Sequence, residues 1–197
     1  MLKVGITGGI GSGKSTVCHI FSSLGIPIFN ADAETKQLYT NSTELRQQLI
    51  VTFGEDVFLT SGAINKAFLS EKLKFDEGRK ALNATVHPFV FERFKHWSEE
   101  QKSPYVIKEA AILFESGADK TVNKSILVTA PMDIRIDRVK SRDGRTPEEI
   151  QSIMASQWSE SRLMELVDFV VINDGNHSLI EQVRDLHAKL IHEATHF

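Results

Sequence analysis

Leu2-Lys3-Val4-Gly5-Ile6-Thr7-Gly8-Gly9-Ile10-Gly11-Ser12-Gly13-Lys14-Ser15-Thr16-Val17-Cys18-His19-Ile20-Phe21 is the stretch whose reading settles the architecture. Its first six residues are an apolar run of strand length, and residues 16–21 read as a helix. Between them, Gly8 to Ser15 matches G-x-x-x-x-G-K-[ST], a phosphate-cradling loop. The residue types follow from the chemistry. A triphosphate needs many N–H donors converging on it, so the backbone must curl inward with no side chains in the way. A helix starting near Lys14 aims the positive end of its dipole at the phosphates. Lys14 reaches the β and γ oxygens, the Ser15 hydroxyl ligates Mg²⁺, and Thr16 adds a contact towards the α-phosphate. At average residue usage the string arises by chance in roughly one chain in a hundred of this length. The strand–loop–helix setting removes most of that ambiguity. Gly11, Ser12, Gly13, Lys14, Ser15 and Thr16 are therefore the candidate ATP-binding residues.

Outward from the loop, apolar runs alternate with helical patterns, which predicts an α/β fold around a five-stranded, mainly parallel sheet. Strands are expected at Leu2–Thr7, Ile26–Phe29, Tyr105–Lys108, Ser125–Thr129 and Phe169–Ile172. About 75 residues separate the second and third, far more than one crossover helix requires. They read as a helical lobe over about 31–103, inserted into a core of about 1–30 and 104–197. The lobe includes a helix at Thr43–Phe53 and a long amphipathic one at Asp76–Glu100. The second carries Leu82, Val86, Phe89, Val90, Phe94 and Trp97, read as lobe core, with a pocket or a subunit contact as the other readings. Pro131 suits the first turn of a helix running to about Arg142. Thr146-Pro147-Glu148-Glu149 supplies an N-cap, a proline at N1 and an acid at N3 for the next. Asn173-Asp174-Gly175 is a turn before a closing helix from Ser178 to about Glu193.

Composition narrows the classes. The 197 residues are 41% hydrophobic and 25% charged, with a formal net charge of −3, ordinary for a globular chain. That balance gives no long-range pull towards nucleic acid or anionic membrane. The single cysteine, Cys18, excludes an intrachain disulfide and reads as a core thiol. No signal peptide or membrane span fits, so a cytoplasmic protein is expected.

Nucleotide binding leaves switches, motors and small-molecule kinases open. A guanine-reading Asn-Lys-x-Asp fails at Asn123-Lys124-Ser125-Ile126, where Ile126 stands in place of the carboxylate. Motor ATPases show four apolar residues before an acidic pair, and Val106–Glu109 and Ile126–Thr129 lack one. A kinase needs a carboxylate near the acceptor hydroxyl. Asp32 follows the second strand, beyond the carboxyl end where such sheets build their sites. Its alternative reading is the N-cap of a helix from Ala33 to Tyr39. Cations must also meet charge developing on the phosphoryl group. Arg135, Arg138, Arg142 and Arg145 cluster around Asp143-Gly144, with Arg138 and Arg142 on one helix face, as a lid over about 138–147 requires. The plain reading is a solvated face paired with Asp137 and Asp143. His192-Glu193-Ala194-Thr195-His196 matches the zinc string H-E-x-x-H, but it sits where helices fray and no downstream residue supplies a third ligand.

With these residues placed, the chain resembles the dephospho-CoA kinase family nearly end to end. Val4 to Thr16 is similar to that family's opening, and Ile28 to Asp32 to its strand ending in Asp-Ala-Asp, with Asp32 on the second aspartate. His87-Pro88, Ile112-Leu113-Phe114-Glu115, Arg138, Arg142-Asp143, Gln157 and Asn173-Asp174-Gly175 each match a further motif. Asn30, Ala111, Glu109 and Ile172 depart from it, standing where aspartate, proline, aspartate and a polar residue are usual. The resemblance implies a P-loop fold with a five-stranded parallel sheet, an acceptor-binding lobe and a lid. It implies transfer from ATP, with Mg²⁺, to the ribose 3′-hydroxyl of dephospho-CoA. Asp32 would be the base, Lys14, Arg138 and Arg142 the catalytic cations, His87 an acceptor contact, and Asn173 and Gly175 would lie near the adenine. Kinases of another small acceptor, such as a nucleoside or nucleotide, and a non-enzymatic ATP-dependent regulator are the rival readings.

Overall fold

The computed structural model describes residues 1–197, which cluster into two compact units, Met1–Phe29 with Glu100–Phe197, and Asn30–Glu99. The first unit is built on β1 (Leu2–Thr7), β2 (Ile28–Asn30), β3 (Tyr105–Glu109), β4 (Lys124–Thr129) and β5 (Phe169–Ile172). The strands lie in the order β2-β3-β1-β4-β5, with β1 paired in parallel to β3 and β4, and β4 to β5. The register sets Ile6 beside Glu109 and Ile126, so the loop leaving β1 emerges between the ends of two neighbours. Helices α1 (Lys14–Ser23), α6 (Met132–Asp143), α7 (Pro147–Ala155), α8 (Glu160–Met164) and α9 (Leu179–Ala194) belong to the same unit, while α2 (Ala31–Asn41), α3 (Thr43–Phe53), α4 (Lys66–Lys72) and α5 (Asp76–Glu99) form the other.

Alternation along the strands sorts the faces. Leu2, Val4 and Ile6 join Ile107, Ile126, Val128 and Val171 in one cluster with Val17, Cys18 and Phe21 of α1 and Val183, Leu186 and Leu190 of α9. On the opposite face Gly5 is overlain by Leu113, whose Cδ2 would stand 2.6 Å from any added Cβ. The α9 side is pinned by Tyr105, whose hydroxyl lies 2.7 Å from His187 Nδ1. The open edge at β5 is met by a side chain. Gln182 accepts from the Ile172 N–H and donates to its carbonyl, both at 2.8 Å.

Strands β3 and β4 are each one residue longer than expected, reaching Glu109 and starting at Lys124, and two further boundaries differ for a physical reason. The second strand begins at Ile28 rather than Ile26, because Ile26 still belongs to the end of α1. Gly25 turns left-handed (φ 82°) and the Ile26 N–H bonds back to the Phe21 carbonyl, a Schellman-type closure. Pairing with β3 starts only at the Pro27 carbonyl, which accepts from Ile107. Pro131 is the N-cap of α6 instead of its first helical residue; its extended ψ of 145° turns its carbonyl onto the Arg135 N–H. Thr146 and Glu149 form the expected capping box, with Pro147 at N1.

In the Asn30–Glu99 unit the core is Leu45, Leu49, Val57, Leu69, Val86, Val90 and Phe94. The α5 stripe thus contributes Val86, Val90 and Phe94, with Trp97 stacked on Phe94 at 6.2 Å between centroids. Helix α5 runs unbroken through Pro88. A cavity of about 950 Å³ in this unit is lined by apolar Tyr39, Leu73 and Leu82 and by the cations Lys36, Arg46 and Lys66.

Candidate active site

The site in the sheet unit starts from the turn between β1 and α1. Two glycines are obligatory there. Gly11 (φ 78°) has the Arg135 carbonyl 2.5 Å from where a Cβ would sit, and Gly13 (φ 94°), which caps α1, has Asn173 Nδ2 at 2.1 Å. Any side chain at either position would be strained by its backbone and would also collide with its neighbour. The result is a backbone arc leading into a ten-residue helix whose first N–H groups have no acceptor within the helix, the arrangement that receives phosphate.

Lys14 reaches across this arc, its ammonium donating to the carbonyls of Gly8 at 2.7 Å and Gly9 at 3.3 Å. Ser15, in the first turn of α1, donates to Glu109 Oε1 at 2.8 Å. Thr16 is exposed beside it. Ser12 is buried, and its carbonyl accepts from Asn173 Nδ2 at 2.8 Å. Asn173 is 8% exposed and central to the site: Arg138 Nη2 donates to its carbonyl and to its Oδ1, both at 3.1 Å, while Arg138 Nη1 lies 3.5 Å from the Gly11 carbonyl. Gly11, Ser12, Asn173 and Arg138 are thus brought together. Gly175 (φ 87°) lies two residues further along the same turn, with open space about it. Asp174 shapes that turn. It accepts from the amides of Asn176 and His177, and these bonds hold its carboxyl down at about 2.

Arg142 is placed differently from Arg138. It lies exposed in the last turn of α6 and forks onto Asp143, with Nε and Nη2 at 2.8 and 2.9 Å from the two carboxylate oxygens. Asp32 is exposed in the first turn of α2, two residues past the end of β2. It does not cap that helix: Asn30 does, accepting from the Ala33 N–H at 2.8 Å. The capping alternative for Asp32 is therefore overturned, and its carboxylate is left to other work. His87, partly buried on α5, stacks on Phe91 with 5.8 Å between centroids. Cys18 is buried on the core-facing side of α1, and that burial pushes its thiol pKa up, as suits an unreactive core residue. His192 and His196 stack edge to face at 5.4 Å at the end of α9, and no group of three or more His, Cys, Asp or Glu residues is placed to hold a metal.

Three residues essential to this geometry carried weak sequence signals. Glu109 ends an apolar strand beside the loop strand, but Lys108 interrupts the run that would have marked it. Arg135 stood among four arginines with nothing to single it out, yet its Nε donates to the Ile10 carbonyl at 3.0 Å. Glu160 accepts from Thr129 Oγ1 and lies 3.7 Å from Arg135, a tertiary contact no local pattern announces. The donor set at Ser15 and Glu109, a hydroxyl and a carboxylate, suits a hard cation such as Mg²⁺, which takes one or two protein oxygens and completes its shell with phosphates and water.

A family model described as dephospho-CoA kinase matches residues 2–178. A dephospho-CoA kinase of Bacteroides fragilis is 38% identical over 191 residues, covering 96% of this chain and 93% of the relative. One from Chlorobaculum tepidum is 39% identical over 196 residues, covering 92% and 93%. Among solved structures, a Thermus thermophilus protein superposes with a TM-score of 0.84 at 31% identity, over 96% of this chain and 97% of that one. The match spans the phosphate loop, the Arg138–Asn173 contact and the helical insertion alike, and the chain belongs to the dephospho-CoA kinase family.

Proposed function

We propose that this chain transfers the γ-phosphoryl group of ATP to the ribose 3′-hydroxyl of dephospho-CoA, giving CoA and ADP in the last step of CoA synthesis. The observation that carries the reading is the glycine arc and helix start, with Lys14 across the arc and Ser15 against Glu109, in a chain of this family. In the reaction the bond from the 3′-oxygen to the γ-phosphorus forms as the bond to the β,γ-bridging oxygen breaks. Asp32 orients the hydroxyl and takes its proton late. Lys14 leaves the Gly8 and Gly9 carbonyls for the β and γ oxygens, and Arg138 holds the nucleotide end of the loop through Asn173. Arg142 is the mobile cation, stored on Asp143 and brought in on lid closure. His87 contacts the acceptor, and Gly11 to Thr16, with Asn173 and Gly175, hold ATP.

Ser15 and Glu109 would hold Mg²⁺, which when bound with ATP neutralises charge on the transferring group. The 950 Å³ cavity of the Asn30–Glu99 unit, lined by apolar side chains together with Lys36, Arg46 and Lys66, favours an acceptor bearing a long arm and phosphates over a bare nucleoside. The reading includes a cytoplasmic location, in keeping with a lone buried, unpaired cysteine; no helix is long and apolar enough to cross a membrane.

The test is to incubate the protein with Mg·ATP and dephospho-CoA and look for CoA by mass spectrometry, with Asp32→Asn alongside. CoA from the wild type and a severely reduced rate from the variant, at similar ATP affinity, support the reading. ATP binding without CoA would redirect the acceptor to a nucleoside or nucleotide panel, and binding without transfer to any acceptor would favour a regulator.

A further inference from the structure

The peptide groups of Ile10 are gripped from both sides by side chains that come from elsewhere in the fold. Gln157, in the turn after α7, accepts from the Ile10 N–H through Oε1 at 3.0 Å. Arg135, in the first turns of α6, donates from Nε to the Ile10 carbonyl, also at 3.0 Å. Each clamping residue is itself anchored. Gln157 donates from Nε2 to the Ala111 carbonyl at 3.4 Å, two residues past Glu109, and the next amide, Trp158, donates to Glu115 Oε1 at 3.0 Å. Arg135 is braced by Glu160, which in turn accepts from Thr129 at the end of β4.

Ile10 sits between Gly9 and Gly11, where the chain has the widest choice of backbone states. A loop that samples many shapes binds its ligand more weakly, in proportion to the fraction of time it is competent. Both polar backbone groups of the one residue that lies between those glycines, one in each of its flanking peptide units, are tied to rigid elements on either side of the 138–147 segment.

We propose that Arg135 and Gln157 are positioning residues for ATP: by fixing the backbone on both sides of Ile10 they hold the loop in the shape that receives the triphosphate. The proposal rests on the reading of Gly8–Ser15 as the ATP site. Both residues act through the loop, so they serve ground state and transition state alike, and their loss falls on ATP binding and spares the chemical step.

Calorimetric titration with Mg·ATP and steady-state kinetics on Gln157→Leu, Arg135→Met and the double variant test it. Each single variant is expected to weaken ATP binding about five- to tenfold, the loss of one such hydrogen bond. KM for dephospho-CoA and kcat at saturating ATP should stay within about twofold. Because both side chains hold the backbone of one residue, the double variant should lose clearly less than the product of the single effects. Unchanged ATP affinity in both singles overturns the proposal. So does full multiplication in the double, or a parallel loss in the acceptor's KM and melting temperature, the mark of general damage. Should Gln157→Leu not fold, Gln157→Met, closer in shape and lacking the oxygen, replaces it. A wild type that binds no ATP would instead overturn the underlying site reading before the variants are compared.

Discussion

Ser15 and Glu109 come into contact because β3 lies beside β1 in a register that pairs Ile6 with Glu109, so the last side chain of one strand faces the first helical turn after the other. Glu109→Ala should raise the Mg²⁺ concentration needed for half-maximal turnover about 10–100-fold, with folding little affected. An unchanged Mg²⁺ requirement would remove Glu109 from the metal site. Its neighbour Lys108 has the opposite character. It is 1% exposed, donates to Thr121 Oγ1 at 3.1 Å, and burial, aided by Lys3, lowers its pKa from the ordinary 10.5 to about 8. Between those values the unfolded chain binds the proton that the folded chain has released, so folding stability rises with pH across the window and carries the full penalty below it. Lys108→Met should therefore stabilise the fold at pH 7 by on the order of 1–3 kcal/mol and flatten the rise between pH 8 and 10, checked by urea titration at several pH values. Residues with local rules were legible: Lys14, Ser15 and the glycines follow from phosphate chemistry. The N-cap expected at Asp32 falls two residues earlier, at Asn30, because either residue type can cap a helix and only the strand's end point decides between them.

Helix α7 shows a complete start signal, Thr146 and Glu149 each bonding to the other's backbone N–H with Pro147 between them. The helix has nine residues and little of it is buried beyond Ile150, so it depends on that cap more than the core helices do. Thr146→Ala should cost about 1 kcal/mol locally. Hydrogen exchange at Ile150 and neighbouring α7 amides should quicken roughly fivefold while the melting temperature hardly moves, and a global drop in protection would show that the cap supports the whole fold. Elements whose ends are written in caps were read to within a residue, as at α3 and α9. Those whose ends depend on where a neighbour's hydrogen bonds begin were not. Strand β2 shifted because the Ile26 amide was already taken by Phe21, a competition invisible to strand propensity.

The molecule's main core gathers α1, α9 and four strands around a few large side chains, Phe21 and Tyr105 meeting edge to face at 6.4 Å. Phe21→Ala should cost about 3–5 kcal/mol, lowering the melting temperature by roughly 10 °C; a change of only a degree or two would mean that the core there relaxes to fill the void. The five-stranded parallel sheet was foreshadowed by the alternation of apolar runs with helical patterns, whereas contacts between distant segments, such as Arg135 with Glu160, carry no periodic trace. One such contact caps part of a sheet edge. A strand edge offers a vacant row of donors and acceptors to any extended chain that arrives, and each added strand would offer the same row again. Gln182 fills the place at Ile172 with a primary amide, which satisfies that one position but has no backbone of its own to continue the pairing. It works as a chain terminator at that end of the fifth strand, where copies of this protein meeting in a crowded solution find the Ile172 position already taken.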